Sequence, residues 1–454
     1  MAVDRSKLPE FGPPPPFAFP EIRRATLANG LRVWTIEHRA VPLLSTLLLV
    51  RRGSAADPPG MEGLAALTGD LLDEGCGDLD ALALHETLGR IGAQIETEIG
   101  SDATLLGLTV LGRFAERGLS LLADMVQRPR LEAADFERVR DLRLNRLVQM
   151  RDMPPVLADR ALTELLYRDH PYGHLAIGRE ESLRGLRLDA VREFHQHSYV
   201  ASDATVVIAG DATHDELLEM VAGAFTSWPS RPAGNGAVPV AGEPAPPEAR
   251  LALLHRPGSA QSELRLGHVS VARSHPDYVQ LLVLNMVLGG QFVSRINMNL
   301  RENKGYTYGA RTSFDARRGP GPFVLQASVQ SDATAAAIRE SLREMEEIRG
   351  ARPITAHELD TGRAALTRGY ARNFETAEQV ARAAAQLAIH DLPDDYYDTF
   401  VPRVLAVDED AATAAARRHL FPDRMLTVVV GDRERVGAGL ETLGFGAPID
   451  LTAA

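Results

Sequence analysis

The chain has 454 residues, long enough for two substantial cores, and its 45% apolar and 24% charged residues are the balance of an ordinary globular protein. Its net charge of −12, from 61 acidic against 49 basic residues, argues against a general nucleic-acid binder. A single cysteine, Cys76, excludes an intrachain disulfide and a cysteine-cluster metal site, and no apolar run is long enough to cross a bilayer. A cytoplasmic protein is expected, or a periplasmic one if a signal sequence has been omitted.

Residues 1–20, with prolines at 13–16, read as an extended N-terminal arm. A hairpin follows, with strands at 25–27 and 31–36 around Asn29-Gly30, and a third strand at 43–50. Helical apolar spacing covers 62–74 and 79–91, strand character returns at 105–111, and helices are expected at 114–126 and 133–150. The run Thr205-Val-Val-Ile208 marks a strand closed by Gly210-Asp211, with a helix at 214–225. Residues 229–250 are rich in Pro, Gly and Ala and read as a linker. Beyond it, strands are expected at 263–269 and 323–329, with helices at 276–288 and 333–349, the last capped from Asp332.

The strand Thr427-Val-Val-Val430 is closed by Gly431-Asp432, which lies 221 residues after Gly210-Asp211. In the same order, Leu131-Glu-Ala-Ala-Asp135 and Ile354-Thr-Ala-His-Glu358 each open an arginine-bearing helix. Two features recurring at nearly one offset indicate an internal duplication. The expected organisation is a first domain at 21–228 and a second at 251–454, each α+β, with helices stacked on one face of a sheet.

The segment Gly60-Met-Glu-Gly-Leu-Ala-Ala-Leu-Thr-Gly-Asp70-Leu-Leu resembles the start of the active-site helix of the M16 (pitrilysin) metallopeptidases, the inverted-zinc-motif family. That family places His-x-x-Glu-His there, because positions four apart on a helix bring two imidazoles to one tetrahedral ion. Here Ala66 and Asp70 stand at the histidine positions, Gly69 at the catalytic Glu position, and Arg146 at the position of the later Glu ligand. The resemblance therefore implies a degenerate zinc site. His195 and His197 are two apart, poor ligand spacing on a helix. His170-Pro-Tyr-Gly-His174 resembles a structural turn of the same family, with a metal role as its alternative.

The second half carries Leu288-Gly-Gly290-Gln-Phe292-Val-Ser294-Arg295, then Leu300-Arg301-Glu302-Asn-Lys-Gly305-Tyr306-Thr-Tyr308-Gly309. This ordered set is similar to the family's substrate-binding signature, and the resemblance assigns Arg301 and Tyr308 to the pair that binds substrate beside the scissile bond. A helix over 294–301, ended at Gly305 by a left-handed cap, brings the two toward one cavity. Tyr308 is suited to donate to an oxyanion and Arg301 to bind a carbonyl or an anion. Gly289, Gly290, Phe292 and Tyr306 are expected substrate contacts, with Tyr306 on the strand face of Tyr308 and either wall or reagent. Gln94 and Glu96 lie where the family has an edge strand that receives extended peptide, an edge that is either functional or vestigial here.

The resemblance implies two homologous domains of the type found in processing peptidases and LuxS, each a mainly antiparallel sheet covered by helices. It further implies a non-zinc subunit of a heterodimeric peptidase, supplying Arg301 and Tyr308 to a homologous zinc-bearing partner, with an extended peptide as substrate. On this reading the chain holds no metal or cofactor, zinc belongs to the partner, and neither nucleic acid nor membrane is engaged. The alternative is an inactive structural or peptide-binding homologue, like the core proteins of respiratory complexes.

Overall fold

A computed structural model describes residues 17–230 and 242–452. Most of the expected arm and the middle of the expected linker lie outside the described residues. The first half contains β1 Arg23–Thr26, β2 Arg32–Glu37, β3 Leu43–Val50, α1 Leu64–Asp70, the short pair β4 Gly75–Cys76 and β5 Leu79–Asp80, α2 Ala81–Arg90, β6 Gln94–Ile99 and β7 Thr104–Leu111. It continues through α3 Ala115–Gln127, α4 Ala133–Met150, α5 Pro154–Tyr167, α6 Glu180–Gly185, α7 Leu188–Ser198, β8 Ala204–Gly210 and α8 His214–Phe225. The second half contains β9 Leu251–His255, β10 Gln261–Val269, α9 Tyr278–Leu288, α10 Arg295–Asn297, β11 Thr307–Phe314, β12 Pro322–Gln330, α11 Thr334–Glu347 and α12 Ala356–Thr367. It ends with α13 Ala377–His390, α14 Tyr396–Leu405, α15 Glu409–His419, β13 Leu426–Gly431, α16 Arg433–Glu441 and β14 Ile449–Leu451.

The duplication is visible in five of the six strands of each sheet, all but the outer strands β1 and β14. The first sheet has the order β1-β2-β8-β3-β7-β6 and the second the order β14-β9-β13-β10-β12-β11. Both sheets are mixed. In each, the strand that returns from the long helical crossover pairs in parallel with an early strand of the same half, β8 with β2 and β13 with β9. The returning strands β8 and β13 are buried along their whole length. Burial on both faces is why both read as unbroken Thr-Val-Val runs.

The two sheets exchange helices, which corrects the expectation that helices cover only one face. On β8, Val206 and Ile208 point toward a core built with α1, α3, α7 and α8, whereas Val207 and Ala209 point to the opposite face. That opposite face is covered by α13 from the second half, through residues such as Ala384 and Leu387. Reciprocally, α5 from the first half lays Leu157, Ala158, Ala161 and Leu162 on Ala252, Leu254, Val428 and Val430 of the second sheet.

Charge fixes α5 in place. Arg265 on β10 is 2% exposed, donates from Nε to Asp159 of α5 at 2.5 Å, pairs with Glu263, and reaches the Pro155 carbonyl at 3.2 Å. The turn at Tyr172 joins the halves as well: its hydroxyl donates to Asp102 at 2.5 Å and accepts the Gly319 N–H at 3.0 Å. His174 meets Asp57 at 3.1 Å, and Asp57 accepts the N–H groups of Gly63 and Ala65 at the start of α1, so this turn is structural. Asp332 does not cap α11 but pairs with Arg435 at 2.9 Å.

Removing one member of a buried ion pair strands the other without water. Urea unfolding is expected to show Arg265→Ala destabilised by about 3–5 kcal/mol. Asp159→Ala should lose less, because the Asp159 side chain is 50% exposed.

Candidate functional site

The second-half groove begins where α9 ends on β11. A Cβ at Gly289 would stand 2.4 Å from the Thr312 hydroxyl oxygen, and one at Gly290 2.6 Å from the Asn285 amide nitrogen. Only glycine permits that approach, which is closed by a Thr312 hydroxyl bond to Asn285 (2.8 Å) and a Thr312 N–H bond to the Gly289 carbonyl (3.1 Å). The expected helix over 294–301 is α10 followed by a wider π-helical turn, Met298–Asn303. Gly305 adopts φ +66°, as its role in ending this turn requires, and gives its N–H to the Arg301 carbonyl at 3.1 Å. Arg295 anchors the segment by a two-pronged bond to Glu358 (2.6 and 2.7 Å) and by the carbonyls of Arg352 and Pro353.

Arg301 and Tyr308 meet at the rim of this groove. The Arg301 guanidinium lies 4.8 Å from the Phe292 ring centre and 4.5 Å from that of Tyr308, and its Nη1 donates to the Tyr308 carbonyl at 2.8 Å. Glu302 takes its Nε at 3.1 Å. The Tyr308 side chain is 84% exposed, leaving its hydroxyl to solvent. The cavity of about 570 Å³ is lined by Gly290, Phe292, Arg301 and Tyr308, and also by Pro155 of the exchanged helix α5. Tyr306 does not line it. An irregular register at 307–310 breaks the alternation, and Tyr306 packs against the second-half core instead.

Three of the positions the family resemblance assigns to the zinc site, Ala66, Asp70 and Arg146, line a separate cavity of about 720 Å³ in the first half, between α1, β6 and α4. Ala66 is buried, and Asp70 accepts from Arg143 Nε at 2.7 Å; Arg146 lies on the same wall. A Cβ at Gly69 would stand 3.0 Å from Ile99 Cδ1 and 3.2 Å from Thr97 Cγ2, so α1 rests closely on the side chains of β6 at this position. Of the four assigned positions only Asp70 offers a ligand atom, and it is already paired with Arg143, so these four residues do not make a zinc site. Arg143 was not singled out from sequence, because only the α1–α4 packing brings it to Asp70. Gln94 and Glu96 lie on β6, the edge strand of the first sheet, and do not line the Arg301 cavity. Glu96 pairs with Arg382 of α13, which also holds Glu98 at 3.0 Å.

The expectation that this chain offers no metal site needs correction. His275, Asp277 and His419 place three potential ligand atoms within 4.8 Å of one another. No spacing in the sequence signals this triad, because α9 and α15 bring together residues more than a hundred positions apart. His195 and His197 belong to no such group among the described residues; one ring nitrogen of each bonds a carbonyl, of Val126 and Glu193, each at 2.8 Å. Among the described residues no helix is long and apolar enough to cross a membrane.

The anchor beneath Arg301 has a pH signature. Burial pushes the Glu358 carboxyl up, but the Arg295 guanidinium and the Thr355 donors outweigh it and hold the group at about 2, below its ordinary 4.5. A lowered folded value stabilises the protein above pH 4.5, and that stabilisation is lost as pH falls from 4.5 toward 2. Glu358→Gln should cost about 2–3 kcal/mol at pH 7 in denaturant unfolding. The gap from the parent protein should shrink steadily below pH 4.5.

Comparison with known proteins agrees with this architecture. Residues 32–179 match the family described as Insulinase (Peptidase family M16), and residues 185–366 match the peptidase M16 inactive domain. An uncharacterised zinc protease of Mycobacterium bovis is 28% identical over 347 residues, covering 75% of this chain and 78% of its own. The probable β subunit of the mitochondrial processing peptidase of Arabidopsis thaliana is 23% identical over 270 residues, covering 60% of this chain and 51% of its own. The crystal structure of a peptidase M16 inactive domain from Pseudomonas fluorescens superposes with a TM-score of 0.84 at 25% identity, covering 90% of this chain and 98% of that one. With both halves matched and the whole architecture shared, the chain belongs to the M16 family and carries its two-lobed metallopeptidase fold.

Proposed function

We propose that this chain is the non-zinc subunit of a two-subunit M16 peptidase and lends Arg301 and Tyr308 to a site whose metal is held by a homologous partner. The observation that carries this reading is the contrast between the two cavities. At the positions the family resemblance assigns to zinc, Ala66 and Gly69 offer no ligand or base, and Asp70 is tied to Arg143. In the second half, the pair is held open to solvent on a rigid anchor. Scaffolding alone gives no reason for an 84% exposed tyrosine beside a buttressed arginine.

The chemistry follows from the atoms. Stacked between two rings and bonded to the Tyr308 carbonyl, Arg301 has its guanidinium oriented before substrate arrives, with hydrogens left to bind a peptide carbonyl. The free Tyr308 hydroxyl donates to an oxygen that gains negative charge as the scissile carbonyl is attacked. Gly290 and Phe292 give the wall against which an extended chain lies. Extended substrate is also suited to the open edge of β6, where Gln94 is exposed and Arg382 positions Glu96. The relatives described as zinc proteases and as a processing-peptidase subunit support a proteolytic setting.

Tyr308→Phe removes one hydroxyl and keeps the ring on Arg301. In a complex with a zinc-bearing homologous chain it should lower kcat for an unstructured peptide by about 10²-fold with little change in assembly. Arg301→Ala should raise KM as well. Full activity in both variants, each in an assembled complex, would leave the pair without a catalytic role.

A further inference from the structure

Outside both cavities, the junction of α9 and α15 gathers two imidazoles and a carboxylate with no role in peptide binding. Asp277 stands at the N-cap of α9 without capping it. His419 is the last residue of α15 and donates from Nε2 to Asp277 Oδ2 at 2.7 Å. His275, two residues before Asp277, accepts the Asp277 N–H on Nδ1 at 3.1 Å and sets its ring edge-to-face on that of His419, with centres 4.9 Å apart. The loop carrying His275 is itself held, by bonds from His275 N–H to the Ala272 carbonyl and from Tyr278 N–H to the His275 carbonyl, both 3.0 Å.

We infer that His275, Asp277 and His419 form a binding site for one divalent transition-metal ion of the zinc type. Two nitrogen donors and one carboxylate are a donor set that zinc accepts, and ligand atoms within 4.8 Å need only small rotations to surround one ion. A fourth position is left for water. The ion replaces two contacts now made within the triad: the proton shared by His419 and Asp277, and the Asp277 N–H held by His275. Arg418 is the competitor, because it donates to the same Asp277 Oδ2 from Nε at 2.9 Å. Its side chain is 53% exposed and free to swing into solvent.

None of the three ligands lines the Arg301 groove, so the ion lies outside the peptide site proposed there. It ties the start of α9 to the end of α15. The other end of the same helix delivers Gly289 and Gly290 to the groove, about 16 Å away along the axis of an 11-residue helix. The inference is independent of the proposed peptidase role.

The full chain, stripped with a chelator and dialysed against zinc chloride, is expected to retain one zinc per chain by elemental analysis. Cobalt in its place should give visible absorption bands. His275→Ala and His419→Ala should each lower zinc affinity by at least about tenfold. Arg418→Ala frees Oδ2 and should raise affinity by about tenfold, a gain that misfolding cannot imitate. Failure of the folded parent chain to retain zinc would overturn the assignment. Zinc retained equally by the His275→Ala/His419→Ala double variant would also overturn it, by placing the ion elsewhere.

Discussion

The buried guanidinium of Arg265 is the point on which the second half turns. It cannot sit inside a sheet without partners, and one of its partners, Asp159, comes from a helix of the other half. That requirement draws α5 across the molecule, where its apolar face completes the second core and its first turn places Pro155 at the groove. The exchange is returned by α13, which covers the first sheet and carries Arg382 to the acidic edge of β6. Each cavity is therefore walled or braced by the other half. The apolar exchange supplies most of the burial, and the charges select which helix goes where.

The equivalent edges of the duplicated sheets are built differently. β6 and β11 occupy equivalent edges. Beside β6, Gly69 allows α1 to press onto Thr97 and Ile99, and the cavity beyond holds the Asp70–Arg143 pair. Beside β11, Gly289 allows a still closer approach of α9, and the chain then widens into the π-helical turn that carries Arg301. A glycine thus sets the close contact between helix and edge strand in both sheets. What differs is the side chains that follow it.

Much of this was legible in the sequence where local chemistry dominates. Asn29-Gly30 announced its hairpin, the Thr-Val-Val runs announced both central strands, and the glycines and charged residues between Leu288 and Gly309 announced the groove. The exchange of α5 and α13 was not legible, because an amphipathic helix does not state which sheet it covers. Tyr306 lies outside the cavity lining because the register shifts between Thr307 and Ala310, which sequence alternation does not reveal. The metal triad was missed for a similar reason: its ligands converge only through the packing of α9 on α15. Long-range convergence, rather than weak local signal, separates what could be read from what could not.

The division of labour between two chains is tested most directly by comparing three samples on one unstructured fluorogenic peptide, with zinc present throughout. The samples are this chain alone, a homologous chain with an intact zinc motif alone, and their mixture. The account predicts turnover in the mixture well above the sum of the separate chains, with this chain alone at background. Chelator-sensitive turnover by this chain alone, at a rate the mixture does not exceed, would contradict it.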